Sequence, residues 1–487
     1  MRLLTLQSIE HGPRALFLRF GLDRLRFSTS VWYEGAALDA LQRESPEGAA
    51  RLFFHVALFE LNKLCSLRPD GVALGPYARF LTPALEDTWR QILRGVWAQW
   101  RFENDDPGYD GPVFVDRADA GAAAEQPALP QLAPAGQGDI LLLCGGGKDS
   151  LVSMRLLQEA GAPFDSCAYS SSIYGPAAAQ HALIDGLLDR VDGAPKLRRL
   201  RQHLFDDFLD SPVLRLHPEL GVRTLTAAET PASVFGALPL VQTYGHSALC
   251  LGHERSADTG QARWARTGED VNHQWGKSAA AEALLNGYLQ GELGLSLRCF
   301  SPLKPIYDLL IFFLLRRYPE DVPFTHSCNV RKPWCLRCPK CLYVWLGCAA
   351  LLPRSALLAT FGTDQLLQDP ALAESFAALQ GEGQEAGRQP FECIGHADEA
   401  RLFLSLCAAR GLQGPAIDRL RQRHGPPRAA LPLLERYLDV DLEPRCTAMP
   451  AALRQQIIPV LQRSAAQARA LLQEQLCVGT ETSPEAS

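Results

Sequence analysis

Apolar and polar positions change period along the chain, and each period predicts an element. Arg14-Ala15-Leu16-Phe17-Leu18-Arg19-Phe20, followed by Leu25, Phe27 and Trp32, suits short strands and predicts a small antiparallel sheet. From Ala50 to Leu67 the apolar residues recur at helical spacing, at Leu52, Val56, Phe59 and Leu64, with the Lys63 stem on the same stripe. A second helix is predicted from Pro83, which suits a first turn, to about Phe102, with Leu85, Trp89, Ile92, Leu93, Val96 and Trp100 as its apolar face. Residues 1–115 therefore read as an α+β region, the expected place for substrate recognition.

Residues 116–138 are rich in Ala, Pro, Gly and Gln without apolar periodicity and read as a linker. Residues 139–353 alternate strand-like and helix-like segments, the pattern of an α/β domain with a parallel sheet. Residues 354–476 are Leu- and Ala-rich and predict a mainly helical region, and residues 477–487 read as a frayed tail. The densest apolar run, Leu309 to Leu315, is too short to span a membrane and fits a buried helix or strand.

Composition narrows the class. A chain of 487 residues is long enough for two or three domains and a large core. With 47% hydrophobic residues, 21% charged residues and a net charge of −6, it is neither largely disordered nor a basic protein holding nucleic acid by charge. The same balance gives no reason to expect a membrane surface as partner. Glu10 interrupts the N-terminus too early for a secretory signal, and no lipidation motif stands at either end. Fourteen cysteines are too sparse for a disulfide scaffold, so a soluble cytoplasmic protein with reduced thiols is expected.

The strongest local signal is Ile140-Leu141-Leu142-Leu143-Cys144-Gly145-Gly146-Gly147-Lys148-Asp149-Ser150. The apolar run suits a parallel strand buried on both faces. Leu151, Met154 and Leu157 then follow at helical spacing, so the glycines feed a helix N-terminus, where free N–H groups and the helix dipole favour phosphate. A Walker loop is excluded because Gly147-Lys148 is followed by Asp149, and the dinucleotide pattern because Ser150 stands at its third glycine. The segment is similar to the pyrophosphate loop (PP-loop) of ATP pyrophosphatases, written Ser-Gly-Gly-x-Asp-Ser, with Gly145 in place of the first Ser. A glycine-rich turn without a ligand is the plain alternative.

Cys328, Cys335, Cys338 and Cys341 have the spacing C-x6-C-x2-C-x2-C. Four close thiols suit a tetrahedral metal, with Zn²⁺ the default, an iron–sulfur cluster compatible with the spacing, and buried free thiols the alternative. Between loop and cluster, Ala248 to Gly252 reads as a strand leading into His253-Glu254-Arg255-Ser256-Ala257-Asp258. Then comes Val271-Asn272-His273-Gln274-Trp275-Gly276-Lys277-Ser278. These bursts bring acid, base and cationic groups to where an α/β sheet opens onto its ligand crevice.

The loop, Glu254-Arg255-Ser256-Ala257, Asn272 to Ser278, Ser327-Cys328-Asn329, Trp334 to Cys341 and Phe391-Glu392-Cys393-Ile394-Gly395 occur in an order that resembles the bacterial UDP-N-acetylmuramoyl-L-alanyl-L-glutamate epimerases. The resemblance covers about 139 to 400. It implies a PP-loop ATP pyrophosphatase (adenine nucleotide alpha-hydrolase-like) core with an α+β N-terminal region and a helical C-terminal region. It also implies an ATP-dependent epimerase that adenylates the carboxylate of a peptide-terminal glutamate, inverts its Cα and releases AMP and diphosphate. The expected partners are ATP, Mg²⁺, Zn²⁺ and a peptide or nucleotide-linked peptide ending in glutamate.

On this reading Gly145, Gly146, Gly147 and Ser150 hold pyrophosphate, Lys148 offsets phosphate charge, and Asp149 positions Mg²⁺ or the loop, or serves as an N-cap. Arg255 and Lys277 bind a substrate carboxylate or phosphates. His273 is the first acid/base candidate and Glu254 the second. Cys393 is a further candidate, as a thiolate base or an inert buried thiol. The alternatives are another adenylating synthase or ligase, such as a 7-cyano-7-deazaguanine synthase, and a non-catalytic nucleotide-binding homologue.

Overall fold

One ten-stranded sheet runs through both halves of the sequence. The computed structural model describes residues 2–116, 125–134, 140–191, 199–206, 228–382, 388–442 and 445–478. The strands are β1 (Leu3–Gly12), β2 (Ala15–Leu22), β3 (Leu25–Glu34), β4 (Gly71–Ala73), β5 (Val113–Phe114), β6 (Ile140–Cys144), β7 (Phe164–Ser171), β8 (Arg199–Asp206) and β9 (Ala248–Cys250). After these come β10 (Ala262–Trp264) and β11 (Glu269–Val271), which form a separate antiparallel pair, and β12 (Arg298–Phe300). The order across the sheet is β12-β9-β6-β7-β8-β3-β2-β1-β4-β5.

From β12 to β8 every pairing is parallel. The antiparallel strands predicted near the N-terminus are present, but they are not a sheet of their own. Their β3 pairs antiparallel with β8, Trp32 opposite His203, and so extends the core sheet. The protein is thus a mixed α/β fold with a large, mostly parallel sheet and many helices.

Alternation along the buried strands separates two cores. Ile140, Leu142 and Cys144 of β6 face one, with the helices Lys148–Glu159, Asp308–Leu315, Pro339–Leu351 and Ala397–Ala409. Leu141, between them, faces the other, with the helices Pro46–Asn62, Glu229–Tyr244 and Ala279–Gly291. A strand covered on both sides needs apolar residues at successive positions, and β6 has them. In the second core Phe59 stacks on Phe235 at 3.7 Å between ring centroids.

The predicted helices differ in detail. The first starts earlier, at Pro46, where Ser45 Oγ accepts from Gly48 N, and its last turn, Lys63–Leu67, tightens to a 3-10 helix. The second is two helices, Pro83–Val96 and Ala98–Glu103, because Trp97 leaves helical geometry. The apolar run Leu309 to Leu315 lies in a buried helix. Of the predicted linker, residues 117–124 and 135–138 lie outside the described residues. Its described part, 125–134, packs on both the N-terminal region and the helix Glu229–Tyr244: Arg51 Nη1 donates to Pro127 O and Leu132 N to Gln242 O, both at 3.0 Å. The region beyond 353 is helical, ending in Ala451–Val478, and residues 479–487 of the predicted tail lie outside the described residues. Among the described residues no helix is long and apolar enough to cross a membrane.

Candidate active site

The strand order reverses between β6 and β9, because the chain leaves β6 for β7 on one side and β9 for β12 on the other. In parallel α/β sheets such a reversal opens a crevice at the carboxyl ends of the strands. The glycine loop leaves β6 there, and the segment from Gly252 to Glu254 leaves β9 there. The two touch: a Cβ on Gly252 would lie 3.1 Å from Asp149 Cβ.

Gly146 has φ +83° and a Cβ there would lie 2.2 Å from His326 Nε2, so only glycine fits. His326 N donates to Gly146 O at 2.8 Å and locks the bend. Gly147 is the N-cap of the helix Lys148–Glu159 and supplies no side-chain acceptor, so the first-turn N–H groups face the loop without a capping side chain. Asp149 lies within the first turn and is therefore not the N-cap.

Behind the loop is a buried charge cluster. Lys148, 5% exposed, hydrogen-bonds Asp149 Oδ1 at 2.6 Å and pairs closely with Asp308. Burial raises the Glu254 carboxyl to about 7, assisted by Asp308 and Asp149 and opposed by Lys148 and Lys277. Burial likewise raises Glu399 to about 8, with Asp308 adding to the effect, while Leu309 N donates to it at 2.7 Å and Ser256 Oγ at 3.2 Å. Fully buried Lys304 donates to the carbonyl oxygens of Glu254 and Lys277 and so ties the two polar segments together.

His273 and Lys277 meet at Cys393. His273 Nδ1 lies 2.6 Å from Gln99 Oε1, and Gln99 Nε2 donates to Glu103 Oε1 at 2.8 Å. That fixes the amide so that its oxygen faces the ring, leaving the other ring nitrogen for the Cys393 thiol, with which His273 hydrogen-bonds. Lys277 hydrogen-bonds the same sulfur and feels the charges of Glu254 and Asp149. Burial pushes the thiol up, but Lys277, His273 and Lys340 together hold it well below its usual range.

Arg255 faces elsewhere. Its Nη1 lies 3.0 Å from Asp439 Oδ2 and its Nη2 3.5 Å from Asp441 Oδ2, and its guanidinium stacks over Tyr307. It links the site to the C-terminal helices. The sequence did not single out Asp308, Glu399, His326 or Gln99. Asp308 and Glu399 each stand at the start of an apolar helical run, where an acid reads as an ordinary first-turn residue.

The N-terminal region forms one wall. The Trp275 indole lies on the backbone at Gly95, Arg101 forms a bidentate pair with Glu269, and Phe102 packs edge-on against Trp264 and Phe391.

The four cluster sulfurs lie within 4.8 Å of one another, with Cys328 to Cys338 and Cys335 to Cys341 each at 3.8 Å. A tetrahedral site with bonds of about 2.3 Å has edges of roughly 3.8 Å, so the spacing suits Zn²⁺. Backbone N–H groups of Val330, Arg331, Cys338 and Cys341 point at the sulfurs at 3.3 to 3.4 Å, as thiolates require.

Comparison with known proteins matches the MurL N-terminal domain to residues 230–302 and the MurL C-terminal domain to residues 323–422. Three curated relatives are each named UDP-N-acetyl-alpha-D-muramoyl-L-alanyl-L-glutamate epimerase. One from Salinispora tropica is 33% identical over 273 residues, 54% of either chain. One from Micromonospora sp. is 31% identical over 280 residues, 54% of this chain and 56% of the relative. One from Xanthomonas oryzae pv. oryzae is 34% identical over 317 residues, 60% of either chain. The chain thus spans a little over half the length of the curated relatives it matches. No solved structure matches.

Proposed function

We propose, for a chain that belongs to the UDP-N-acetylmuramoyl-L-alanyl-L-glutamate epimerase family, an ATP-dependent inversion of a peptide-terminal glutamate, with UDP-MurNAc-L-Ala-L-Glu as substrate. Its product would serve peptidoglycan assembly in the cytoplasm. The observation that carries this reading is the meeting of the glycine loop with Glu254 and Lys277 at the reversal of strand order.

A glutamate carboxylate resists loss of its Cα proton, because a second negative charge would develop beside the first. Joining that carboxylate to the α-phosphate of ATP removes its charge and supplies an electron sink. The uncapped N–H groups at Gly147 and the first turn, with Ser150, hold the departing diphosphate, and Lys148 offsets its charge. Asp149, partly open to the crevice, fits the single carboxylate that Mg²⁺ commonly takes alongside substrate phosphates. Lys277 neutralises charge developing on the activated carbonyl. A base near His273 removes the Cα proton, and reprotonation from the other face inverts the centre. Hydrolysis of the mixed anhydride then releases product and AMP. Zn²⁺ held by Cys328, Cys335, Cys338 and Cys341 would fix the segment that carries His326 and Lys340.

The test is incubation with ATP, Mg²⁺ and UDP-MurNAc-L-Ala-L-Glu in D₂O. AMP and diphosphate should form, the peptide should gain one deuterium at Cα, and chiral analysis should show D-glutamate. Absence of AMP from folded, metal-replete protein overturns the reading.

A further inference from the structure

One sulfur in the site is unlike the thiols of the apolar cores. Cys65, Cys167, Cys250, Cys348 and Cys407 are buried in apolar cores, which pushes their thiols up. Cys393 is only half-buried, and polar groups from three other segments meet at it and its neighbours. His273 and Lys277 hydrogen-bond the sulfur, and Lys340 Nζ donates to the Cys393 carbonyl. Asn329 Nδ2 donates to Glu392 Oε2 at 2.9 Å and Gln274 Nε2 to Ile394 O at 2.9 Å, so the side chain before Cys393 and the backbone after it are pinned. Phe391 packs against Phe102 and beneath the Arg388 guanidinium. A thiol merely filling space needs none of this.

We propose that Cys393 Sγ is the group that exchanges the substrate's Cα proton, and that His273, held by Gln99, is its positioning residue rather than the base itself. This rests on the epimerase reading above. Lys277, which reaches the sulfur, also feels Glu254 and Asp149 from the phosphate side, so a substrate carbonyl neutralised by Lys277 would present its Cα close to Cys393. The C–H bond breaks heterolytically, its proton goes to Sγ, and its electron pair moves into the activated carbonyl as an enolate. The opposite face takes a proton from a second acid, and Glu254, held to about 7, carries one near neutrality. Exchange of Sγ–H and the Glu254 carboxylate with water restores both groups. The titratable groups facing Cys393 are Lys277, His273, Lys340, Glu392 and Tyr174.

The test compares wild type with Cys393→Ala, Cys393→Ser and His273→Ala, reading deuterium incorporated at Cα per AMP formed. Both Cys393 variants should still form AMP, while exchange per AMP falls on the order of 10²-fold or more. His273→Ala should lower that ratio less and shift the pH at which iodoacetamide alkylates Cys393 upward, a shift that a purely structural role for His273 would not produce. An unchanged ratio in Cys393→Ala, with wild type turning over, overturns the role of Cys393 and leaves the epimerase reading intact. Loss of AMP formation in both folded Cys393 variants also overturns it, by placing the thiol in adenylation. Failure of wild type to form AMP is the distinct result that overturns the parent reading.

Discussion

His273 Nδ1 lies 2.6 Å from Gln99 Oε1, a contact that joins a loop of the α/β core to a helix of the N-terminal region across 174 residues. Removing the acceptor frees the imidazole to rotate and to change tautomer. Gln99→Ala should therefore reduce Cα exchange by about 10-fold, no more than His273→Ala does, because Gln99 acts only through the imidazole and the larger loss of a proton-transfer group belongs to Cys393. AMP formation should persist, because the glycine loop is untouched. A parallel assay of AMP and deuterium incorporation checks both halves.

The loop itself should be intolerant of a methyl group. Gly146→Ala would drive Cβ into the His326 ring and demand a left-handed backbone at alanine. ATP binding, measured by calorimetry, should weaken about 5- to 150-fold, in keeping with a backbone strain of about 1–3 kcal/mol. Asp149→Ala and Ser150→Ala should abolish AMP formation while leaving the fold intact by circular dichroism.

Glu399 supplies a pH dependence with a definite sign. Its folded-state value, about 8, lies above a carboxylate's ordinary 4.5, so the fold binds this proton more tightly than the unfolded chain does. The stabilisation is complete below about 4.5 and is lost as pH rises through about 8. Glu254, raised to about 7, acts in the same direction. Urea midpoints measured from pH 5 to 9 should fall with pH in wild type and fall less steeply in Glu399→Gln. A parallel slope in the variant would remove Glu399 from the explanation.

The cysteine cluster should hold one Zn²⁺ per chain, measurable by plasma mass spectrometry. Cys338→Ser should lose the metal and lower the thermal midpoint by several degrees, because binding to a closed thiolate site stabilises only the folded state. Release of the metal by a thiol-modifying mercurial, followed with a zinc-sensitive dye, gives an independent count.

Much of this site was readable in the sequence where its residues are contiguous. The glycine loop, the four cysteines and the run from Asn272 to Ser278 each carry their chemistry within a few positions, and the fold places loop and run around one crevice. What escaped is what only the fold brings together. Gln99 lies in a short helix whose apolar stripe gives no hint of a polar contact to a distant loop. Asp308 and Glu399 are first-turn acids like many others until packing buries them beside Lys148 and Glu254. Arg255 is placed differently from its neighbour. Adjacent to Glu254 in sequence, it is carried by a 3-10 turn toward Asp439 and Asp441. The joining of β3 to β8 was equally hidden, since alternation marks a strand but does not name its neighbour.

That joining bears on how the protein can be dissected. Cutting the chain at residue 139 would strip β3 from β8 and leave a row of bare backbone donors and acceptors along the new margin. Such a fragment would tend to clump with its own copies, and it would also lack the amide that steadies the imidazole. The shorter protein is therefore no minimal catalyst, however self-sufficient its motifs look when written in a line.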